Sequence, residues 1–450
     1  MPSSVSTLPQ RSQTPVGPSP KGAWVWWGAL LLFVLAGATG AVFRFGMVYG
    51  GTGPLELENV RHAHSHLMYF GWGTPALMVL IWRCLPASLT AGWGRAFRWI
   101  AGSTLAAAVL AYPPFLLFGY SVVQIGSVQM PIAVVGAGLN IIGWYGFVGL
   151  YIVVTYPHPR RGALRLWDVA VGALVLSTLG AWSLSLLPLL GVHSPLIAQG
   201  LTHVFLDLFS EGWFVLGGLG VAFAILEPSP SAPSASSVGL VVAGLPLTFL
   251  LSLPASGLSL ELEVAGRIGG TLVALGLFAM GIRLVNCLSA KGRRWLWGVP
   301  LACVLLKAGA QLVGSLVPGL WLGEIHGLRI LYLHLMLLGF LTLTLVVAAH
   351  EVWGGRNTTD LAVLYGAVGG VLCTLIPLTP WGPGGTMAFT VAAWASLGLV
   401  MVAGWMLFRR HPFAGSARLR ESEFIGERHA LGGSFASNES CPHDSGSVRE

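Results

Sequence analysis

Charge is what this sequence has least of. Of its 450 residues 9% are charged and 54% are hydrophobic, where a soluble domain carries roughly 25% charged residues. That shortage excludes an ordinary soluble protein. Cysteine is scarce as well: Cys84, Cys287, Cys303, Cys373 and Cys441 form no CxxC pair and no CxxCH. A disulfide framework and covalently attached haem are therefore not expected, and the thiols read as reduced and structural. Histidine is missing altogether between His203 and His326. The net charge of +7 is mostly carried by short basic loops, and nothing points to nucleic-acid binding.

What is present is apolar sequence in long runs. Runs of about 20 residues, enough to cross a bilayer as a helix, cover 23–45, 62–83, 97–118, 131–155, 166–190, 196–226, 238–253, 264–287, 296–317, 325–349, 361–379 and 386–408. They are continuous and do not alternate, so helices are expected and a barrel is not. The seventh is short and bounded by prolines. The expected fold is an all-α integral membrane protein, a bundle of twelve transmembrane helices over 23–410. The Pro/Ser-rich segment 1–22 reads as a disordered cytoplasmic N-terminus and 411–450 as a flexible cytoplasmic tail. "EPSPSAPSASS" reads as a cytoplasmic linker.

The loops set an orientation. One group carries Arg83, Arg95, Arg98, Arg160, Arg161, Arg165, Lys291, Arg293, Arg294, Arg409 and Arg410; the other carries Glu56, Glu58, Glu261, Glu263 and Glu324. The positive-inside bias then places both termini in the cytoplasm, in what reads as a bacterial cytoplasmic membrane.

Ionisable residues inside spans mark function by default. Here they collect at one level, in the outer halves of four spans: His62, His64 and His66 on the second, His203, Asp207 and Glu211 on the sixth, Lys307 and Gln311 on the ninth, and His326, Arg329 and His334 on the tenth. At about 100° per residue, His62 and His66 share a face and His64 points the other way. His203, Asp207 and Glu211 step by four down one stripe. Tyr332 and His334 are two apart and point to opposite sides, so that helix can stand between two sites. Each group could equally hydrogen-bond a neighbouring helix or line a water pocket. Lys307 needs an anionic or hydrogen-bonding partner. His62 and His66 could form a copper or zinc pair.

Three of these segments resemble subunit I of the haem–copper oxidase superfamily, closest to the cbb-type oxidases and the bacterial nitric oxide reductases. In "RHAHSHLM" Arg61 leads and His64 takes the haem-ligand place, with Ser65 for the usual threonine and His66 for asparagine. In "YLHLMLLG" His334 and Gly339 match the second low-spin ligand and its glycine. In "HVFLDLFSE" His203, Asp207 and Glu211 match the reductase spacing. The resemblance implies haem b held by His64 and His334, with a non-haem iron or copper on His203 and Asp207. It makes Glu211 a second carboxylate that helps deliver protons. Two departures bear on catalysis. Tyr332 stands where the proximal histidine of a second, high-spin haem belongs, and the adjacent histidines expected on the seventh span are absent.

A haem b redox protein would reduce nitric oxide or dioxygen if its second site works, with Glu211 and Tyr332 as catalytic residues. Tyrosinate can ligate haem iron. Arg61 and Arg329, at helix ends, suit propionates by bidentate pairing. Electrons would come from a separate cytochrome c or quinol, through a small membrane or haem c partner subunit if one exists. A non-catalytic electron-transfer, sensor or assembly protein on the same scaffold is a second reading. A histidine-lined metal or small-ion transporter is a third, without the inverted repeats that fold would carry.

Overall fold

The structure is a computed structural model that describes residues 22–187, 190–227, 229, 232–291, 294–317, 325–355 and 358–408. The expected disordered N-terminus (except Gly22), the tail 411–450, part of the linker, Cys441, Arg293, Arg409, Arg410 and Glu324 lie outside the described residues.

The chain is helical almost throughout. The helices are α1 (Ala23–Tyr49), α2 (57–84), α3 (Gly94–Phe118), α4 (Ile132–Thr155), α5 (Ala163–Leu186) and α6 (Pro195–Leu226), then α7 (Ala235–Ser252), α8 (Leu260–Lys291), α9 (Arg294–Leu316), α10 (His326–Val352), α11 (Thr359–Leu378) and α12 (Gly385–Phe408). Among the described residues eleven helices are long and apolar enough to cross a membrane. The remaining one, α2, is one unbroken helix whose first turns are diluted by His62, His64, His66 and Arg61. A small hairpin, β1 (Val123–Ile125) with β2 (Val128–Met130), joins α3 to α4. Large apolar side chains such as Leu31, Ile282 and Met401 are exposed on the outside, as a lipid-facing surface requires. The protein is an integral membrane protein.

Local sequence explains the helix ends. Ser194 opens α6 by accepting the Ile197 amide, and Pro195 follows at the first helical position, where a missing N–H costs nothing. Pro246 has no N–H to give, and from Leu245 to Ser252 α7 tightens into a 3₁₀ helix. That irregularity is what the short, proline-bounded seventh run foreshadowed.

Three helices form the centre. In α6, 89% of its most apolar stretch is buried inside the bundle, and in α10, 67%; for α11 and α12 the figure is 28%. In α2 every residue from Phe70 to Ile81 is buried. These same three helices each contain a π-helical stretch: Leu67–Gly73, Leu208–Leu216 and Leu335–Thr342. Each stretch begins directly after a polar residue the sequence singles out: His66, Asp207 and His334. Such wide turns cost regular hydrogen bonding and occur mostly at functional positions. Threonines repair part of that cost, Thr74 donating to the Tyr69 carbonyl (2.8 Å) and Thr342 to that of Leu337 (2.9 Å). Both threonines also accept from tryptophans of other central helices. Trp72 Nε1 of α2 donates to Thr342 of α10 at 3.1 Å, and Trp213 Nε1 of α6 donates to Thr74 of α2 at 3.4 Å.

Candidate functional site

The Trp72–Thr342 bond fixes how α2 and α10 are aligned. Each residue lies eight positions after a histidine of its own helix (64 to 72, 334 to 342). His64 and His334 therefore sit at matched heights, about two turns from the bond. His64 Nδ1 lies 2.8 Å from the Ala36 carbonyl of α1. His334 Nδ1 lies 2.8 Å from the Ile330 carbonyl one turn back. A carbonyl only accepts, so each Nδ1 carries the proton and each Nε2 keeps a lone pair. Neither Nε2 has a hydrogen-bond partner among the described residues, and neither side chain is fully buried. An imidazole oriented by a backbone carbonyl, with its other nitrogen open, is prepared as a metal ligand.

The α1 helix makes room for this arrangement. A Cβ on Gly40 would stand 2.7 Å from His64 Nδ1 and Cε1, so only glycine lets the ring lie flat against the helix. Gly339, the glycine of the span-10 motif, has a different task. A Cβ there would meet Cys303 Sγ of α9 at 2.9 Å, so it allows close helix contact.

The other two histidines of α2 face away from His64, as the helical spacing predicts. His66 stacks on Phe115 of α3 with ring centroids 3.6 Å apart and meets the edge of Phe70, while its Nδ1 lies 2.9 Å from the His62 carbonyl. His62 packs against Tyr120 and reaches Glu58 at 3.5 Å. Arg61 is also engaged, 3.0 Å from Glu58 on the exposed side of α2.

A second polar cluster lies on the other side of α10. Glu211 of α6 takes three partners: Lys307 Nζ at 3.0 Å, the Tyr332 hydroxyl at 2.7 Å and Gln311 Nε2 at 3.2 Å. Lys307 also donates to Gln311 Oε1 at 2.6 Å and lies 5.5 Å from the Tyr332 ring centre. Lys307 is wholly buried, and Glu211, Gln311 and Tyr332 nearly so. Asp207 accepts from Ser252 of α7 at 3.0 Å. Arg329 Nη2 lies 3.2 Å from Nδ1 and 3.1 Å from Nε2 of His203, covering the ring edge between them. A cavity of about 30 Å³ touches Asp207, Glu211, Thr248, Ser252, Gln311 and Tyr332. It has room for about two waters.

This cluster does not fit the groups expected there. A non-haem metal on His203 and Asp207 would have to displace Arg329 from both nitrogens of the imidazole, and Glu211 already holds an ammonium. No group of three or more His, Cys, Asp or Glu side chains is arranged to hold a metal ion among the described residues. Tyr332 already gives its hydroxyl to Glu211 at 2.7 Å, so it is not free to ligate a second haem. At His64 and His334 only the donor chemistry speaks, two imidazoles each with Nε2 open, and it suits haem iron.

Sequence spacing brought out the histidines and the acidic stripe but missed Arg44, Ala36 and Gly40 of α1, Ser252 of α7 and the three π-helical stretches. Arg44 was visible as a lone cation at the end of the first run, where it resembles an interface anchor. No family model matches the chain, and no curated protein is significantly similar to it in sequence.

Proposed function

We propose that this chain is a haem b-binding membrane redox protein on a bundle resembling subunit I of the haem–copper oxidases, with α2 crossing the membrane as its twelfth helix and both termini in the cytoplasm. The observation that carries the reading is the matched pair His64 and His334. Two central helices, tied by Trp72 and Thr342, present two imidazoles at one height, each held by a backbone carbonyl and each with Nε2 open. Haem bound there, held by His64 and His334, would supply one-electron transfer. The Ala36 and Ile330 carbonyls hold the tautomer, and Gly40 gives the His64 ring its place.

The self-paired cluster around Glu211 favours electron transfer without gas reduction. Lys307 occupies the cation position that a second metal would need, and Tyr332 spends its hydroxyl on Glu211. The donor would be a separate cytochrome c or quinol.

The test is an absorption and EPR spectrum of the full chain purified from a haem-replete host, with haem and metals counted per chain. One low-spin haem b and no stoichiometric non-haem metal are expected. Purification without any haem would refute the reading. Nitric oxide or dioxygen consumption by the reconstituted protein with an artificial donor would overturn the electron-transfer assignment alone.

A further inference from the structure

Arg44 is a part-buried cation near the end of α1 that no acidic side chain pairs with among the described residues. It lies in the last turns of α1, part-buried, and among the described residues it makes no hydrogen bond or ion pair. A cation removed from water without a partner is costly, so an unpaired one points to something that joins it.

Its position says where that partner is. Ala36, Gly40 and Arg44 step by four along α1 and so lie on one drifting face. Ala36 receives the His64 Nδ1 hydrogen bond, and Gly40 lies against the His64 ring. Arg44 is the next turn of the same stripe. Other arginines near this level are engaged, Arg61 with Glu58, Arg329 with His203 and Arg267 with Glu263. Among the described residues Arg44 is thus left without a hydrogen bond or ion pair, one turn beyond Gly40 on the face of α1 that meets His64.

We propose that Arg44 is the anion-binding residue of the histidine site, pairing with a carboxylate carried by the planar group that His64 and His334 hold, a haem propionate. The inference rests on the haem reading above. A guanidinium presents a planar fork of donors that matches a carboxylate. The same fork would also suit a lipid phosphate reached by the side chain extending along α1, and the experiment separates the two.

The full chain, purified in detergent after expression under haem limitation, is titrated with iron protoporphyrin IX and with its dimethyl ester, which lacks the charged carboxylates. The wild-type protein should bind the free acid about ten- to a hundredfold more tightly than the ester, the scale of a hydrogen bond to a charged group. Arg44→Leu should bind both alike, about as weakly as wild type binds the ester, and Arg44→Lys should recover part of the difference. The bis-histidine spectrum should persist in every protein that binds, which a collapsed or unfolded variant would not show. Arg61→Leu should keep the full discrimination. Equal binding of acid and ester by the wild type, or discrimination that survives in Arg44→Leu, overturns the proposal; the second outcome would fit an arginine held by lipid. Failure of the wild type to bind either porphyrin removes the haem reading and this inference with it, whereas binding without discrimination removes this inference only.

Discussion

The two polar regions on either side of α10 differ in what they leave unsatisfied. Around Glu211 nearly every group is answered from within the chain: ammonium to carboxylate, phenol to carboxylate, amide to both. Around His64 and His334 the described residues satisfy one nitrogen of each ring and leave the other open, and Arg44, on the face of α1 that meets His64, has no partner among them. A buried polar network that closes on itself holds helices together. One that stops short is completed by something else. Both regions are rich in intramembrane polar residues, so residue type alone does not distinguish them. The difference is in the partners.

That comparison can be broken experimentally. The largest expected effect is at the histidines. His64→Ala or His334→Ala should abolish the haem b spectrum, while His62→Ala and His66→Ala retain it; equal loss from all four would erase the distinction. Next comes the closed cluster. Lys307→Met leaves Glu211 charged, buried and uncompensated, and should destabilise the protein by about 3–5 kcal/mol, read by unfolding in detergent. Adding Glu211→Gln removes the stranded charge and should restore much of that stability. If Lys307→Met alone is as stable as wild type, the ammonium is not what balances Glu211.

A smaller change should follow at the wall of the histidine site. Gly40→Ala pushes a methyl group into the His64 ring, an overpacking that costs about 1–3 kcal/mol, and it should weaken haem binding before it unfolds the chain. An unaltered haem affinity would mean that α1 does not seat the ring. Trp72→Phe keeps most of the buried aromatic volume but loses the bond to Thr342. The expected loss is about 0.5–1.5 kcal/mol, together with a broadened low-spin EPR signal as the two helices lose their alignment; an unchanged signal would show that the tie does not set the ring geometry. The smallest effect is expected from Arg61→Ala, whose partner is an exposed glutamate; stability should change by no more than about 1 kcal/mol.

Much of this was readable in order. The positions of the apolar runs foretold α1 to α12 within a few residues, because twenty apolar residues in a row have few alternatives to a buried or membrane-crossing helix. Helical spacing separated His64 from His62 and His66, and it placed Tyr332 and His334 on opposite sides of one helix. It could not say which side meets which neighbour. The stripe His203, Asp207, Glu211 illustrates the limit. As a string it has the spacing of a metal site. In the fold Arg329 covers the first residue, Ser252 binds the second and Lys307 answers the third. Arg329 also changes meaning, from a residue suited to a propionate at a helix end to the cover of His203. Arg44 gave little local sign because it lies at the end of an apolar run with no motif around it.

The sequence by itself determined that this is a helical membrane protein, where its helices begin and end, and which few residues carry polar chemistry inside it. These are local properties, set by hydropathy and by the fixed rotation of a helix. Only the tertiary structure decided which of those polar residues are answered and which are left open. A hydrogen bond or ion pair joins side chains from distant parts of the chain, and no spacing along one helix records what the next helix brings to it.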